Sequence, residues 1–427
     1  MTSSSTSSSP LGTVLAGLPG IRDAAEAFYK DLHAHPELGL DEHRTAGRVA
    51  ERLRHWGYRV TEGIGGTGVV GVLANGEGPT VLFRADMDAL PVQEATGLPY
   101  ASTVTTTGPG GHAQPVMHAC GHDMHITCLL GFAALMAEAK DVWQGTVVAL
   151  FQPSEERGDG ADAMLDDGLV DRIPRPDVAF AQHVLPLPAG CVGVRPGPFL
   201  SAADNLRITL FGRGAHGSMP QAGIDPVVMA AMCVVRLQTI VSRELAPTTP
   251  AALTVGSIVA GTSPNVIPES AVIELNIRTY DDTTRRTVLD AVRRCVDAEA
   301  AASGAPKEPL IERLGEFPPT VNDAGVAERL DRAFRAHFGD DAGTIALQTA
   351  SEDFSKIPDA FGIPFAYWGI GCVDPGTYRT AAGRGTVQQD IPVNHSPAFA
   401  PVVQPTLDTG VSALTVAALA WLGGKNT

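Results

Sequence analysis

The chain has 427 residues, enough for two or three domains and a large core. Its 44% hydrophobic and 18% charged residues, with a mean hydropathy of +0.06, are those of a soluble globular protein. A net charge of -16 and a pI near 5.1 exclude nucleic acid and anionic membranes as partners, and no basic run reverses this locally.

In chain order, residues 1–20 are expected to be a disordered tail. Positions 1–10 are rich in Ser and Thr and lack the basic start and apolar core of a signal peptide. Helical spacing of apolar residues predicts helices over 23–33 and 42–55. The glycine-rich stretch 61–71 runs into a strand carrying Val69, Val70, Val72 and Leu73. A short apolar strand over 80–84 leads to Asp86 and Asp88. Then come a helix over 127–139, a strand over 145–151 that ends at Glu155 and Glu156, and a strand over 177–182 that ends at His183.

From 205 to 314 the pattern changes. A strand (205–211), an apolar helix (226–241), two strands (252–259 and 271–279), a helix (283–300) and a strand (309–314) follow one another. The order β-α-β-β-α-β is ferredoxin-like. The expected fold class is therefore α/β, with one domain over 21–200 and 315–427 and a compact ferredoxin-like α+β domain inserted over 201–314, whose sheet and apolar helix suit it to dimerisation. Helices over 323–338 and 405–422 close the chain. No uninterrupted apolar stretch is long enough to span a bilayer. The six scattered cysteines suggest reduced thiols in a cytoplasm.

Chemistry concentrates at 117–125, where Cys120, His118, His122, Asp123 and His125 fall within nine residues. Sulfur and imidazole donors this close suit a divalent transition metal. Asp123 and His125 are candidates to orient a ligand or stabilise the turn. Of the adjacent Glu155 and Glu156, one carboxylate can bind metal while the other faces a water as general base. Asp86, this pair and His183 all follow apolar strands, and open α/β sheets gather ligands beyond their carboxyl ends. His183 and His395 are weak signals on their own.

These residues sit in motifs that resemble the N-acyl-amino-acid amidohydrolases: hippurate hydrolases, aminoacylase-like enzymes and indole-acetyl-amino-acid hydrolases, within the two-metal exopeptidases that include the carboxypeptidases G. The motifs are His33-Ala34-His35-Pro36-Glu37-Leu38, Arg84-Ala85-Asp86-Met87-Asp88-Ala89-Leu90-Pro91, the cysteine-histidine cluster, the glutamate pair, Ser351-Glu352-Asp353-Phe354 and Asn394-His395-Ser396-Pro397. The resemblance implies that Cys120, His122, Glu156, His183 and His395 hold two divalent ions per subunit, zinc or manganese first, cobalt or nickel next. It implies Glu155 as general base, with Asp88 orienting a ligand. His216 would stabilise an oxyanion, often from the partner subunit of a homodimer, and Asn265 and Arg278 would bind a small N-acyl-amino acid. Gln221 replaces an expected histidine, and 365–372 and 380–387 differ from the shorter form expected, which points to the acyl pocket.

Two rival readings keep the metal: a carboxypeptidase or dipeptidase of the same fold, and a non-catalytic metal-binding protein. A third is excluded. Gly63, Gly65 and Gly68 satisfy a dinucleotide fingerprint, but a strand follows where pyrophosphate requires a helix N-terminus.

Overall fold

The computed structural model describes residues 9–423, which form two compact units. One comprises the chain through Gly197, Asn322–Ala346 and the chain from Asp353; the other comprises Pro198–Val321 and Leu347–Glu352.

The first unit is built on a mixed sheet of eight strands: β1 (Arg59–Ile64), β2 (Gly68–Asn75), β3 (Thr80–Asp86), β4 (Gly145–Gln152), β5 (Val178–Pro188), β6 (Val192–Gly193), β7 (Ala342–Gly343) and β8 (Phe365–Val373). Their order across the sheet is β1-β2-β4-β3-β5-β8-β6-β7. The central strands β4, β3, β5 and β8 run parallel, so their carboxyl ends share one edge. These strands are continuous apolar runs because both faces are covered. The covering helices are α1 (Leu18–His33), α2 (His43–His55), α3 (His122–Glu138), α4 (Ala324–Phe338) and α5 (Val403–Trp421). Phe83 packs against Phe132 of α3 with ring centroids 4.6 Å apart, and Trp368 of β8 meets Phe334 of α4 at 5.4 Å.

Four elements differ from the sequence expectation. The segment expected to be tail is helical from Pro10, and residues 1–8 lie outside the described part. The glycine-rich stretch contains β1, whose hairpin to β2 turns through Gly65 and Gly66 at positive φ. Helix α3 begins at His122, five residues earlier than expected, so the histidine cluster is its first turn. Strand β5 continues through His183 to Pro188 because it pairs with β8 along that whole length. The stretch 365–372 is β8, buried along its length within the sheet.

The second unit is a four-stranded antiparallel sheet in the order Ala252–Ala260, Ser270–Thr279, Ala202–Phe211, Leu310–Phe317, with helices Pro226–Thr239 and Asp282–Ala302. Burial alternates residue by residue along Ser270–Thr279, as one covered face requires. Ile208, Leu210, Ile273 and Ile277 of that face form one core with Met229, Cys233, Leu237, Val288 and Val292 of the helices. By length and composition alone Pro226–Glu244, 19 residues with a mean hydropathy of 1.3, would pass for a membrane span, although Arg236 and Gln238 interrupt its apolar run. It is the core helix of this unit, and Val228, Met232 and Val235 form an exposed apolar stripe on it.

Candidate metal centre

Three segments of the first unit meet at the carboxyl edge of its parallel strands. The loop after β3 brings Asp88, the turn after β4 brings Glu155 and Glu156, and β5 brings His183. Cys120 and His122 arrive at the start of α3, and His395 comes from the loop before α5. Gly121 explains the Cys-Gly-His spacing. Its φ is +86°, and a Cβ there would fall 2.5 Å from Val184 Cγ2, so only glycine lets both flanking donors face inward. The amide of His395 donates to Ala119 O (2.8 Å), and Asn394 Nδ2 donates to Cys120 O (3.1 Å), which fastens that loop to the cysteine.

The donor atoms gather closely. Cys120 Sγ lies 3.5 Å from His183 Nε2, and Cys120, Glu156 and His395 form one group. His122 Nε2 is buried without a hydrogen-bond partner among the described residues, 3.9 Å from a carboxylate oxygen of Glu155 and of Glu156. His395 Nε2 stands 3.1 Å from Glu156 Oε1, again without hydrogen-bond geometry. Atoms that share an ion at about 2.1 Å each are about 3–4 Å apart, so this spacing fits common ligation. All five expected ligands are thus brought together.

The tautomers agree with that arrangement. His183 Nδ1–H donates to Val184 O (2.7 Å), leaving Nε2 as the acceptor facing Cys120. His122 Nδ1–H donates to Asp88 Oδ1 (3.2 Å), leaving the orphaned Nε2. Asp88 Oδ2 also accepts the amide of Glu156 (3.0 Å), so one carboxylate holds both His122 and the Glu156 backbone. His125 is different. Its Nε2 accepts the amide of Val184 (2.9 Å) and its Nδ1–H donates to Asp86 Oδ1 (2.6 Å), so both nitrogens are already bonded. Asp123 stabilises the turn rather than orienting a ligand, for its oxygens are taken by His33 Nδ1 (2.7 Å) and the amide of Met124 (2.9 Å).

The charge balance favours a cation. Burial, with Glu156 and Glu155 close by, pushes the Cys120 thiol well above its ordinary value. Burial opposes a charged His122, yet Asp86 and Asp88 hold its pKa up at about 10, so a proton stands in for positive charge. Burial, together with His125, drives His183 well below the usual imidazole range, which keeps it a neutral donor. Fully buried Arg84 supports the edge from beneath through Asp86 (2.6 Å) and Gln152 (2.9 Å). Arg84 and His33 are the residues that sequence reasoning placed in motifs without a role, and Asp86 was noted only for its place at a strand end.

In the second unit His216 is exposed, and its Nδ1 meets the amide and hydroxyl of Ser218 at 3.1 and 2.7 Å. The short pairing of Ala215–His216 with Val266–Ile267 places it beside the loop of Asn265, whose carbonyl accepts the amide of Gly217 (2.7 Å). Arg278 stands at a strand end, held by Asn276 Oδ1 (2.9 Å) and Ser351 Oγ (2.6 Å), with no acidic partner among the described residues.

A buried thiol, imidazoles and carboxylates at the carboxyl edge of a parallel sheet define a metal-binding hydrolase site. Residues 82–384 match the peptidase family M20/M25/M40, and the chain belongs to that family. It is 37% identical over 362 residues to the N-acetyl-L-cysteine deacetylase of Bacillus subtilis, covering 84% of this chain and 82% of that protein. It is likewise 37% identical over 328 residues to the hippurate hydrolase of Campylobacter jejuni, covering 76% and 82%. The crystal structure of a dinuclear metal-binding M20 peptidase from Bacillus subtilis superposes with a TM-score of 0.75 at 27% identity, covering 94% of this chain and 98% of that one.

Proposed function

We propose that the chain is a metal-dependent amidohydrolase that splits N-acyl-L-amino acids into a carboxylic acid and a free amino acid. The observation that carries this reading is the gathering of Cys120, His122, Glu156, His183 and His395 beside Glu155. Two relatives named for release of acyl groups from amino acids support it. The five residues would hold two divalent ions, zinc or manganese by their mixed sulfur, nitrogen and oxygen donors, with cobalt or nickel next. Such ions supply Lewis acidity toward a carbonyl oxygen and acidify water. Glu155 takes the proton of the attacking water on a carboxylate oxygen and returns one to the leaving amine nitrogen. Asp88 keeps the proton of His122 on Nδ1, so Nε2 stays a donor. His216 of a second copy offers an N–H to the developing oxyanion, Arg278 forks onto the substrate carboxylate, and Asn265 bonds its backbone.

The second copy is argued from the exposed stripe Val228, Met232 and Val235 and from exposed Ile258 and Val259 on the edge strand Ala252–Ala260. Six free cysteines fit a reducing cytoplasm.

The test is release of amino acid from N-acetyl-methionine, hippurate, an indole-acetyl-amino acid and a dipeptide. Metal-free protein is compared with protein given zinc, manganese or cobalt. Metal-dependent release is expected, with the dipeptide poorest; none from any substrate, in protein that binds two ions, would leave only a binding role. The Glu155→Gln variant is expected to keep its metal and lose turnover, and parental turnover would remove Glu155 as the base.

A further inference from the structure

The turn that carries the glutamate pair is strained, and its restraint comes from a residue outside every motif. Ser154 has φ +51°, a left-handed backbone that a residue with a Cβ rarely adopts. Four contacts fix it there. Its amide donates to Glu42 Oε1 (2.9 Å), its carbonyl accepts the amide of Gly160 (3.1 Å), and its hydroxyl donates to Asp159 (2.6 Å). Gly39 packs on it so closely that a Cβ there would stand 2.6 Å from Ser154 Oγ.

Of these, Glu42 is the unusual one. It is wholly buried, its other oxygen accepts the Thr67 hydroxyl at 2.5 Å, and no cationic group among the described residues pairs with it. Burying a carboxylate without a cation is costly, so its retention wants a reason. It does not cap its own helix α2, although it stands at the N-cap. Glu37 does that instead, accepting the amides of Arg44 and Thr45.

We propose that Glu42 is a positioning residue for the general base: it holds Ser154 left-handed, and the left-handed turn aims Glu155. This rests on the reading of Glu155 given above. The two glutamates are not equally dependent on the clamp. The amide of Glu156 is anchored by Asp88, whereas the carbonyl of Glu155 accepts the amide of Gly158 (2.7 Å) within the same turn and its amide belongs to the peptide that Ser154 orients. Release of the clamp lets Ser154 relax to negative φ and rotates the next peptide. The base moves, while Glu156 stays with Asp88.

The test uses the full chain with Glu42→Ala, Glu42→Gln and Glu155→Gln. It reads kcat and KM on the best substrate of the panel, bound ions per chain, melting temperature, and amide exchange over 154–160 in metal-free protein. Glu42→Ala is expected to lower kcat about tenfold to hundredfold, as for a misplaced catalytic group. KM and ion count should stay parental and exchange over 154–160 should quicken. Glu42→Gln should restore most of the rate, because its carbonyl still accepts the Ser154 amide and its NH2 can reach the Thr67 oxygen. Unchanged kcat in Glu42→Ala, equal damage in both Glu42 variants, or a rate loss matched by ion loss would overturn the clamp. Should Glu42→Ala fail to fold, Thr67→Val frees one oxygen of Glu42 more gently, and an unaltered kcat and exchange rate there would overturn it equally. Parental turnover in Glu155→Gln would instead overturn the base itself.

Discussion

His33 lies fully buried between two carboxylates, with Nδ1 2.7 Å from Asp123 and Nε2 3.1 Å from Glu94. Burial opposes its charge, but the bonds to Asp123 and Glu94 raise its pKa to about 10. A basic group raised in this way binds its proton more tightly when folded. Its stabilisation is therefore complete below the unfolded value of about 6.5 and is lost as the pH climbs through about 10. His33→Ala should cost about 3–5 kcal/mol near neutrality, the usual consequence of breaking a buried pair. Urea midpoints at neutral pH and near pH 10 test this, and a gap between variant and parent that does not narrow at the higher pH would refute the ionic account. The same residue shows what a sequence conceals. Cys120, His122 and the glutamate pair were legible because their donor atoms lie a few residues apart. The partners of His33 and Glu42 were not: Asp123 is 90 residues from one and Ser154 is 112 from the other, and no local pattern marks them.

At the scale of elements, periodicity located the second unit well because each strand alternates and each helix has one apolar side. Helix Asp282–Ala302 also has a readable start. Asp281 caps it, accepting the amide and hydroxyl of Thr284 at 2.8 and 2.7 Å. Asp281→Ala should lose about 1 kcal/mol, measured as a shift in the denaturant midpoint of the second unit, and a loss no greater than that of an exposed Asp290→Ala control would dismiss the cap. The misread elements have physical causes. Strand β1 was hidden because turn glycines at positive φ dilute its apolar pattern. The start of α3 was hidden because its first turn is made of polar side chains committed to the site rather than to a helical stripe. The end of β5 was masked because its last residues, Leu185 to Pro188, are only partly buried, though β8 continues alongside. The run of small and aromatic residues over 365–372 is what a strand covered on both faces looks like.

For the whole molecule, the exposed stripe on Pro226–Thr239 is the feature that a single chain leaves unexplained. Val235 is 66% exposed and Val228 58% exposed, one helical face apart by seven residues. If a second copy covers that stripe, Val228→Asp with Val235→Asp should convert a dimer into a monomer of similar melting behaviour. Sedimentation of parent and variant decides it: a parent already monomeric at micromolar concentration would remove the second copy. Supplying a Glu155→Gln chain to such a monomer should not restore turnover, whereas mixing Glu155→Gln and His216→Ala parents should. The division into units was legible as a change of pattern near 205, yet the second unit reclaims Leu347–Glu352 long after the chain has left it, and nothing in that short segment announces the return. The interruption has a consequence for synthesis. When the ribosome has delivered the chain through Gly197, β5 has no neighbour on one side, for its partner β8 begins at Phe365. Some 170 codons therefore separate an open sheet edge from the strand that closes it, an interval in which the nascent chain is exposed to mispairing. His395 emerges later still, so a polypeptide that stops short of it lacks the imidazole that stands 3.1 Å from Glu156 Oε1.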